Sequence, residues 1–237
     1  MFAIDVDFEG IGLEVVTMHS AAGLLVADEG KVGKVSDDKT IGLCAAEDNF
    51  YGLIDKVDLG GGVSAVQRKG FATVAYTGAP ALGLQELVAN GAGGVKPPAV
   101  GVQAYKVTGV VGDNNALRFT AKGYGVAGND IRIQLKDPGG NDQALAVDVV
   151  GKDIVVSLAT GNAGAITSTA ALVKAAVEAS AAASLVTVAD EGASTGAGVV
   201  AAVAMGALAG GVDGVVGRKF TVVSKDTGSS TLVIDLG

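Results

Sequence analysis

The chain holds one histidine, His19, and one cysteine, Cys44. Together they could make a thiolate nucleophile, the imidazole taking the thiol proton. Nothing beside His19 supplies the third group that would orient it, and Cys44 lies within an apolar stretch. The pair therefore reads as a turn or surface residue and a small buried hydrophobe. Gly192-Ala193-Ser194-Thr195-Gly196 fits the GxSxG pattern of a nucleophilic serine, but such a hydrolase needs a histidine later in the chain, and His19 lies far upstream. A Gly/Ser loop is the simpler reading. Gly123-Tyr124-Gly125-Val126-Ala127-Gly128 fits GxGxxG, which binds a pyrophosphate only when a helix begins there, and Asn129 onward alternates as a strand instead. Asp5, Asp7 and Glu9 occupy alternate positions and so line one face of an extended strand, able to hold a divalent ion or receive a partner's Arg or Lys. A solvated face is the ordinary reading. With no P-loop, HExxH helix or EF-hand loop, the expectation is a protein without catalysis, cofactor or metal.

The elements that must position these residues are sheet-rich. Hydrophobic residues make up 49% of the 237 positions, yet aromatics only 4%, and Trp is absent, which suits thin cores. Thirty-seven glycines against four prolines favour short strands joined by tight turns. The formal charge of -8, from 17 basic and 25 acidic residues, opposes attraction to phosphate backbones, so nucleic acid is not an expected partner. The lone cysteine excludes an internal disulfide. The longest apolar run, Val199 to Ala209, is too short to cross a bilayer, and the N-terminus carries acids where a signal peptide needs bases. These features point to a reducing cytoplasm, or something assembled there, and not to a membrane.

Phe2, Ile4, Val6 and Phe8 alternate with Ala3, Asp5 and Asp7 in the period of a strand with one apolar face. This opening segment is either an ordinary sheet strand or an arm that adds to the exposed edge of a neighbouring chain. Strand-like segments follow at Glu14–Met18, Leu24–Ala27, Lys31–Val35, Ile41–Ala45, Tyr51–Val57, Ala65–Arg68 and Phe71–Tyr76, spaced as in a barrel or sandwich. Gly83–Val88 fits one helical turn or a strand. Beyond Gly112 the pattern changes. Leu117, Phe119 and Ala121, then Ile131, Ile133 and Leu135, mark strands with one dry face, and Leu145–Val149 and Ile154–Leu158 continue them. Thr167-Ser168-Thr169 can cap a helix from about Ala170 to Ala182 with Leu172, Val173, Ala176 and Val177 on one face. Leu185–Ala189 is a further strand, and Val199–Leu208 fits either helix or strand. Residues 112–213 thus read as a block inserted into a discontinuous β-domain of residues 1–111 plus 214–237, closed by strands at Arg218–Ser224 and Leu232–Leu236. An insertion of this kind succeeds at exposed loop tips.

The runs Asn49-Phe50-Tyr51-Gly52-Leu53-Ile54 and Val66 to Gly78, then Leu87 with Gly93-Gly94-Val95-Lys96, and the closing stretch Gly217 to Leu236, resemble the head decoration (capsid cement) proteins of tailed bacteriophages. The inserted block, through Asn115-Ala116-Leu117, Ala127-Gly128-Asn129-Asp130-Ile131 and Ser168-Thr169-Ala170-Ala171, resembles a module recurrent in phage structural proteins. The resemblance implies a mainly β fold with an α+β insertion: a small β-barrel or β-tulip-like domain carrying an inserted, outward-facing α/β sandwich. It implies a homotrimer on the outer capsid surface of a virion, made in the bacterial host cytoplasm, with the major capsid protein and its own copies as partners. Phe2, Ile4, Val6 and Phe8, with Asp5 and Asp7 setting polar register, are the expected capsid or neighbour contacts. The alternatives are a phage tail structural subunit, or a surface carbohydrate-binding protein acting through the inserted block. The low aromatic content opposes the latter, since sugar platforms need exposed rings.

Overall fold

The computed structural model describes residues 12–237. The segment holding Phe2, Ile4, Asp5, Val6, Asp7 and Phe8 lies outside the described residues. In chain order the first strands are β1 (Glu14–Ser20), β2 (Val32–Asp37), β3 (Thr40–Leu43), β4 (Gly52–Asp58), β5 (Val63–Lys69), β6 (Phe71–Ala75), β7 (Gly83–Ala89) and β8 (Val95–Lys96). Then come β9 (Gln103–Thr108), β10 (Leu117–Tyr124), β11 (Arg132–Lys136), β12 (Ala146–Val150), β13 (Asp153–Ser157), helix α1 (Ala170–Glu178), β14 (Val186–Asp190) and β15 (Val203–Ala207). The chain closes with β16 (Arg218–Asp226) and β17 (Thr231–Asp235). The protein is mainly β. It divides into two compact units, one of Met1–Ala99 with Val215–Gly237, the other of Val100–Gly214.

In the first unit β1, β3, β2, β4 and β5 close a barrel around Met18, Leu24, Ile41, Ile54, Val57 and Val66. Its wall is tight at Gly52, where a Cβ would collide with the Gln67 carbonyl oxygen, so only glycine lets β4 approach β5 there. A five-stranded sheet in the order β6-β17-β16-β7-β8 stands beside the barrel. Tyr76, just beyond β6, bridges Val95 of β8, so the sheet curls until its two ends meet. Alternation explains its strands: Ala72 and Val74 of β6, Phe220 and Val222 of β16, and Leu232 and Ile234 of β17 are buried, their neighbours more open. The hairpin between β16 and β17 is closed by the Asp226 carboxylate, which accepts from the Gly228 amide and the Ser229 hydroxyl. Sequence pattern alone suggests a strand at Leu24–Ala27, but this stretch is a short 3-10 turn. The buried Asp28 carboxylate accepts from the Leu25 amide at 2.8 Å and from Lys31 at 2.7 Å, which bends the chain back. Gly83–Ala89 is a strand, held by antiparallel pairing with β16.

The second unit has a three-stranded sheet, β14-β10-β9, and a four-stranded one, β12-β13-β11-β15. Its own core gathers Leu117, Phe119, Ile133, Leu135, Ile154 and Val156 with Val173 and Val177 of α1. Thr169 caps α1 by accepting from the Leu172 amide. The buried face of the helix is Ala170, Val173 and Val177, while Leu172, expected on that face, is half exposed. The ambiguous stretch near Val199–Leu208 contains strand β15. Residues expected to belong to the flanking domain lie here too: β9 pairs with β10 from Thr108 opposite Leu117 to Gln103 opposite Tyr124, so the boundary falls at Val100 rather than Gly112.

Candidate functional site

In the first unit the loop around Glu47 holds both places where the chain leaves and re-enters that unit. Glu47 sits at a positive φ of 68°. Its amide donates to the Ala89 carbonyl, and the Ala89 amide donates to the Asp48 carbonyl, each at 2.9 Å, which fixes the loop on the end of β7. From there the Glu47 carboxylate forms an ion pair with Lys96 and accepts from the Ala99 amide at 3.1 Å. The Asn49 side-chain amide donates to the Val216 carbonyl at 3.1 Å, and Arg218 donates to the Phe50 carbonyl at 2.9 Å. The outgoing and returning strands also meet directly, since the Val215 amide donates to the Ala99 carbonyl at 3.0 Å. The Lys96 ammonium and the Ala99 amide hold the Glu47 carboxyl below the usual carboxylate range. Beside it Lys34, joined by the Ala45 amide, does the same for Asp48 against a partial loss of hydration.

Sequence reading marked Glu47-Asp48-Asn49 only as a turn. An acidic residue followed by Asp and Asn signals a reversal, but not that the reversal would hold chain from the far end of the sequence.

A small cleft of about 220 Å³ lies within the same unit, lined by Leu13, Leu53, Asp55, Gln67, Phe71, Ala72 and Thr73. It is smaller than the usual small-molecule site. The Gln67 side-chain amide is already spent on the carbonyls of Lys69 and Phe71. Leu13 places the cleft where the chain enters β1.

The chemical motifs come apart in the structure. His19 is exposed on β1, whereas Cys44 is buried, and loss of hydration pushes its thiol up to about 12. A thiol so poised is not a nucleophile near neutral pH. Ser194 is buried in the loop after β14, where its hydroxyl accepts from the Gly196 amide at 3.4 Å, and α1 precedes this loop instead of following it. The elbow that GxSxG requires is absent. After Gly125 comes a short 3-10 turn and then β11, so no helix N-terminus faces the glycines of GxGxxG. Among the described residues no group of three or more His, Cys, Asp or Glu could hold a metal, and no helix is long and apolar enough to cross a membrane.

In the second unit several side-chain amides and a hydroxyl act as staples. Asn129 bonds twice to the Gly211 main chain, Asn115 ties Val110 to Val199, and Ser168, fully buried, accepts from the Ala159 amide. Tyr105 has the Arg118 guanidinium 4.2 Å above its ring. Arg118 is fixed there by a bidentate pair with Glu191 at 2.6 and 2.8 Å.

Searches against protein-family models, curated proteins and solved structures give no match to this chain.

Proposed function

We propose that this protein decorates and stabilises the outer surface of an icosahedral phage capsid, assembling as a trimer that bridges capsomers. The observation that carries the reading is where the resembling stretches go. Asn49–Ile54, Val66–Gly78, Leu87 with Val95, and Gly217–Leu236 are distant in sequence, yet they supply Phe50, Leu53, Ala72, Val74, Leu87, Val95, Phe220, Val222, Leu232 and Ile234 to one core cluster. A resemblance spread over four segments gains weight when those segments build one body. On this reading the first unit docks on the major capsid protein. The second is an inserted α/β sandwich that projects outward. Phe2, Ile4, Val6 and Phe8, with Asp5 and Asp7, reach a capsid subunit or a neighbouring copy.

The mechanism needs no reaction. Modest apolar and main-chain contacts, repeated by symmetry, would join neighbouring capsomers and oppose the pressure of packed DNA. The carbohydrate-binding alternative would rest on Tyr124, the widely exposed ring of the second unit, since Arg118 covers a face of Tyr105. The test is to add purified protein to capsids that lack decoration and image them. Regular density at three-fold positions is the expected result. Bare capsids at saturating protein, or rings of six along tails, would overturn the reading.

A further inference from the structure

The barrel strands of the first unit lose their regular register on both sides of one residue. Gln67 of β5 stands opposite Leu53 of β4 and opposite Val15 of β1. On the β4 side the register slips between Ile54 and Lys56, which leaves Asp55 as an extra residue without a partner. On the β1 side it slips between Glu14 and Val15, which leaves Arg68 as the extra residue on β5. Bulges re-aim side chains, and they gather at barrel rims and beside binding sites. Here they flank the cleft of about 220 Å³, whose lining includes both Asp55 and Gln67.

The polar groups of this cleft are acceptors. Gln67 is 8% exposed, and its side-chain nitrogen donates to the Lys69 carbonyl at 3.1 Å and to the Phe71 carbonyl at 2.9 Å. Both amide hydrogens are thereby committed, and the side-chain carbonyl is what Gln67 has left to offer. The exposed Asp55 carboxylate makes no ion pair among the described residues, because the bases around it are taken: Lys56 by Glu29, and Arg68 and Lys69 by Glu14. Thr73, also exposed, adds a hydroxyl. The rest of the wall is apolar, from the buried Leu53 and Ala72 to the half-exposed Leu13.

An anion would meet a carboxylate there and find no free amide. A primary ammonium brings the opposite inventory, three donors and no acceptor. Size agrees with this. A cavity of about 150 Å³ takes benzene, so 220 Å³ has room for an ammonium on the four-carbon stem of a lysine, and none for a nucleotide. The formal charge of -8 draws cations to the chain as a whole.

We propose that this cleft is a binding site for a primary alkylammonium, with Asp55 as its counter-ion, the Gln67 carbonyl and Thr73 hydroxyl as further acceptors, and Leu13, Leu53 and Ala72 against the stem. A lysine side chain of another polypeptide and a free alkylamine present this same chemistry. The site stands whether or not the chain decorates a capsid, since none of its residues belongs to the contacts proposed for that role.

The test is a titration of isotope-labelled intact protein with n-butylammonium chloride, followed in amide NMR spectra. Saturable shifts of the Gln67 side-chain amide and of the Leu53, Ala72 and Thr73 backbone amides are expected, with a millimolar Kd. Asp55→Asn should weaken binding about fivefold, the scale of an exposed ion pair, and n-butanol should bind more weakly than butylammonium by at least that factor. Asp38→Asn removes the same charge from the turn between β2 and β3 and should leave the affinity unchanged. A blocked Gly-Lys-Gly peptide separates the sources: shifts at the same residues assign the cleft to a lysine of a partner, and shifts with butylammonium alone assign it to a free amine. No saturable shift, equal binding of n-butanol, or equal losses from Asp38→Asn and Asp55→Asn would each overturn the proposal.

Discussion

Replacing Phe50 by alanine tests whether two distant pieces of sequence share one core. Phe50 is 1% exposed and stacks on Phe220 with ring centroids 4.5 Å apart and planes 12° from parallel. Phe50 comes from the loop before β4 and Phe220 from β16, so the ring pair is a direct link across the sequence between them. Truncating a fully buried Phe costs about 3–5 kcal/mol, a figure that includes about 0.5–1.5 kcal/mol for the lost ring pair. With a urea dependence of about 2 kcal/mol per molar for a unit of this size, the midpoint should fall by about 2 M. The chain has no Trp, so the assay is hydrogen exchange by mass spectrometry across a urea series. Peptides from β6, β16 and β17 should lose protection together in Phe50→Ala. Peptides from β10 and β14, whose core contains neither ring, should keep theirs. A double-mutant cycle with Phe220→Leu should return a coupling of about 1 kcal/mol. If β16 and β17 stay protected, or the β10 and β14 peptides fall by the same amount, the shared core is wrong.

Four shorter predictions accompany it. Deleting residues 100–214 and joining Ala99 to Val215 through Asn-Gly should leave a folded first unit, because the Val215-to-Ala99 hydrogen bond is then the i to i+3 bond of a two-residue turn. An unfolded product by circular dichroism would sink this. Asp28, Glu47 and Asp48 are all held below their ordinary values, so their contribution is complete above about pH 4–5 and is lost as pH falls through the lowered values. Lys34 and Lys174 are raised by Asp48 and Asp190, so their share is present below about pH 10 and is lost above it. Thermal midpoints against pH should therefore show a plateau with two falling shoulders, and Asp48→Asn should reduce both. Cys44 should resist thiol reagents at pH 8 in the folded protein and react fully in denaturant. Rapid labelling of native protein would contradict its burial.

Period-2 patterns exposed part of the first unit in advance, because β6 and β17 each bury alternate residues and the pattern needs no tertiary knowledge to read. The misses have physical causes. At Leu24–Ala27 an apolar run met a single carboxylate that satisfied a local amide, and the turn won over the strand. The start of helix α1 was placed correctly by its Thr169 cap, but the helix ends at Glu178 rather than near Ala182, and its buried face was misjudged by one position, since Leu172 and Val173 are equally apolar and only packing chooses between them. Strand β9 was missed as part of the second unit because Val100 to Val111 is uniformly mild in hydrophobicity, and only pairing with β10 assigns it. Of the candidate site, the arm residues Phe2 to Phe8 lie outside the described residues, and the Glu47 loop was invisible because its partners, Ala99 and Val216, are remote in sequence.

The first unit's tolerance of so long an excursion follows from the same loop. Closing a long excursion costs entropy that grows only slowly with its length, so what decides whether it is tolerated is the geometry of its two ends. Here those ends are hydrogen-bonded to each other, and Glu47 and Asn49 bind one end each. A chain leaving such a point need not distort the five-stranded sheet, whatever it does before it returns. The excursion in turn carries its own buried core, with fully buried residues from β10, β11, β13 and α1. Two cores with separate memberships and one polar loop at the crossing are the conditions under which one unit can carry another.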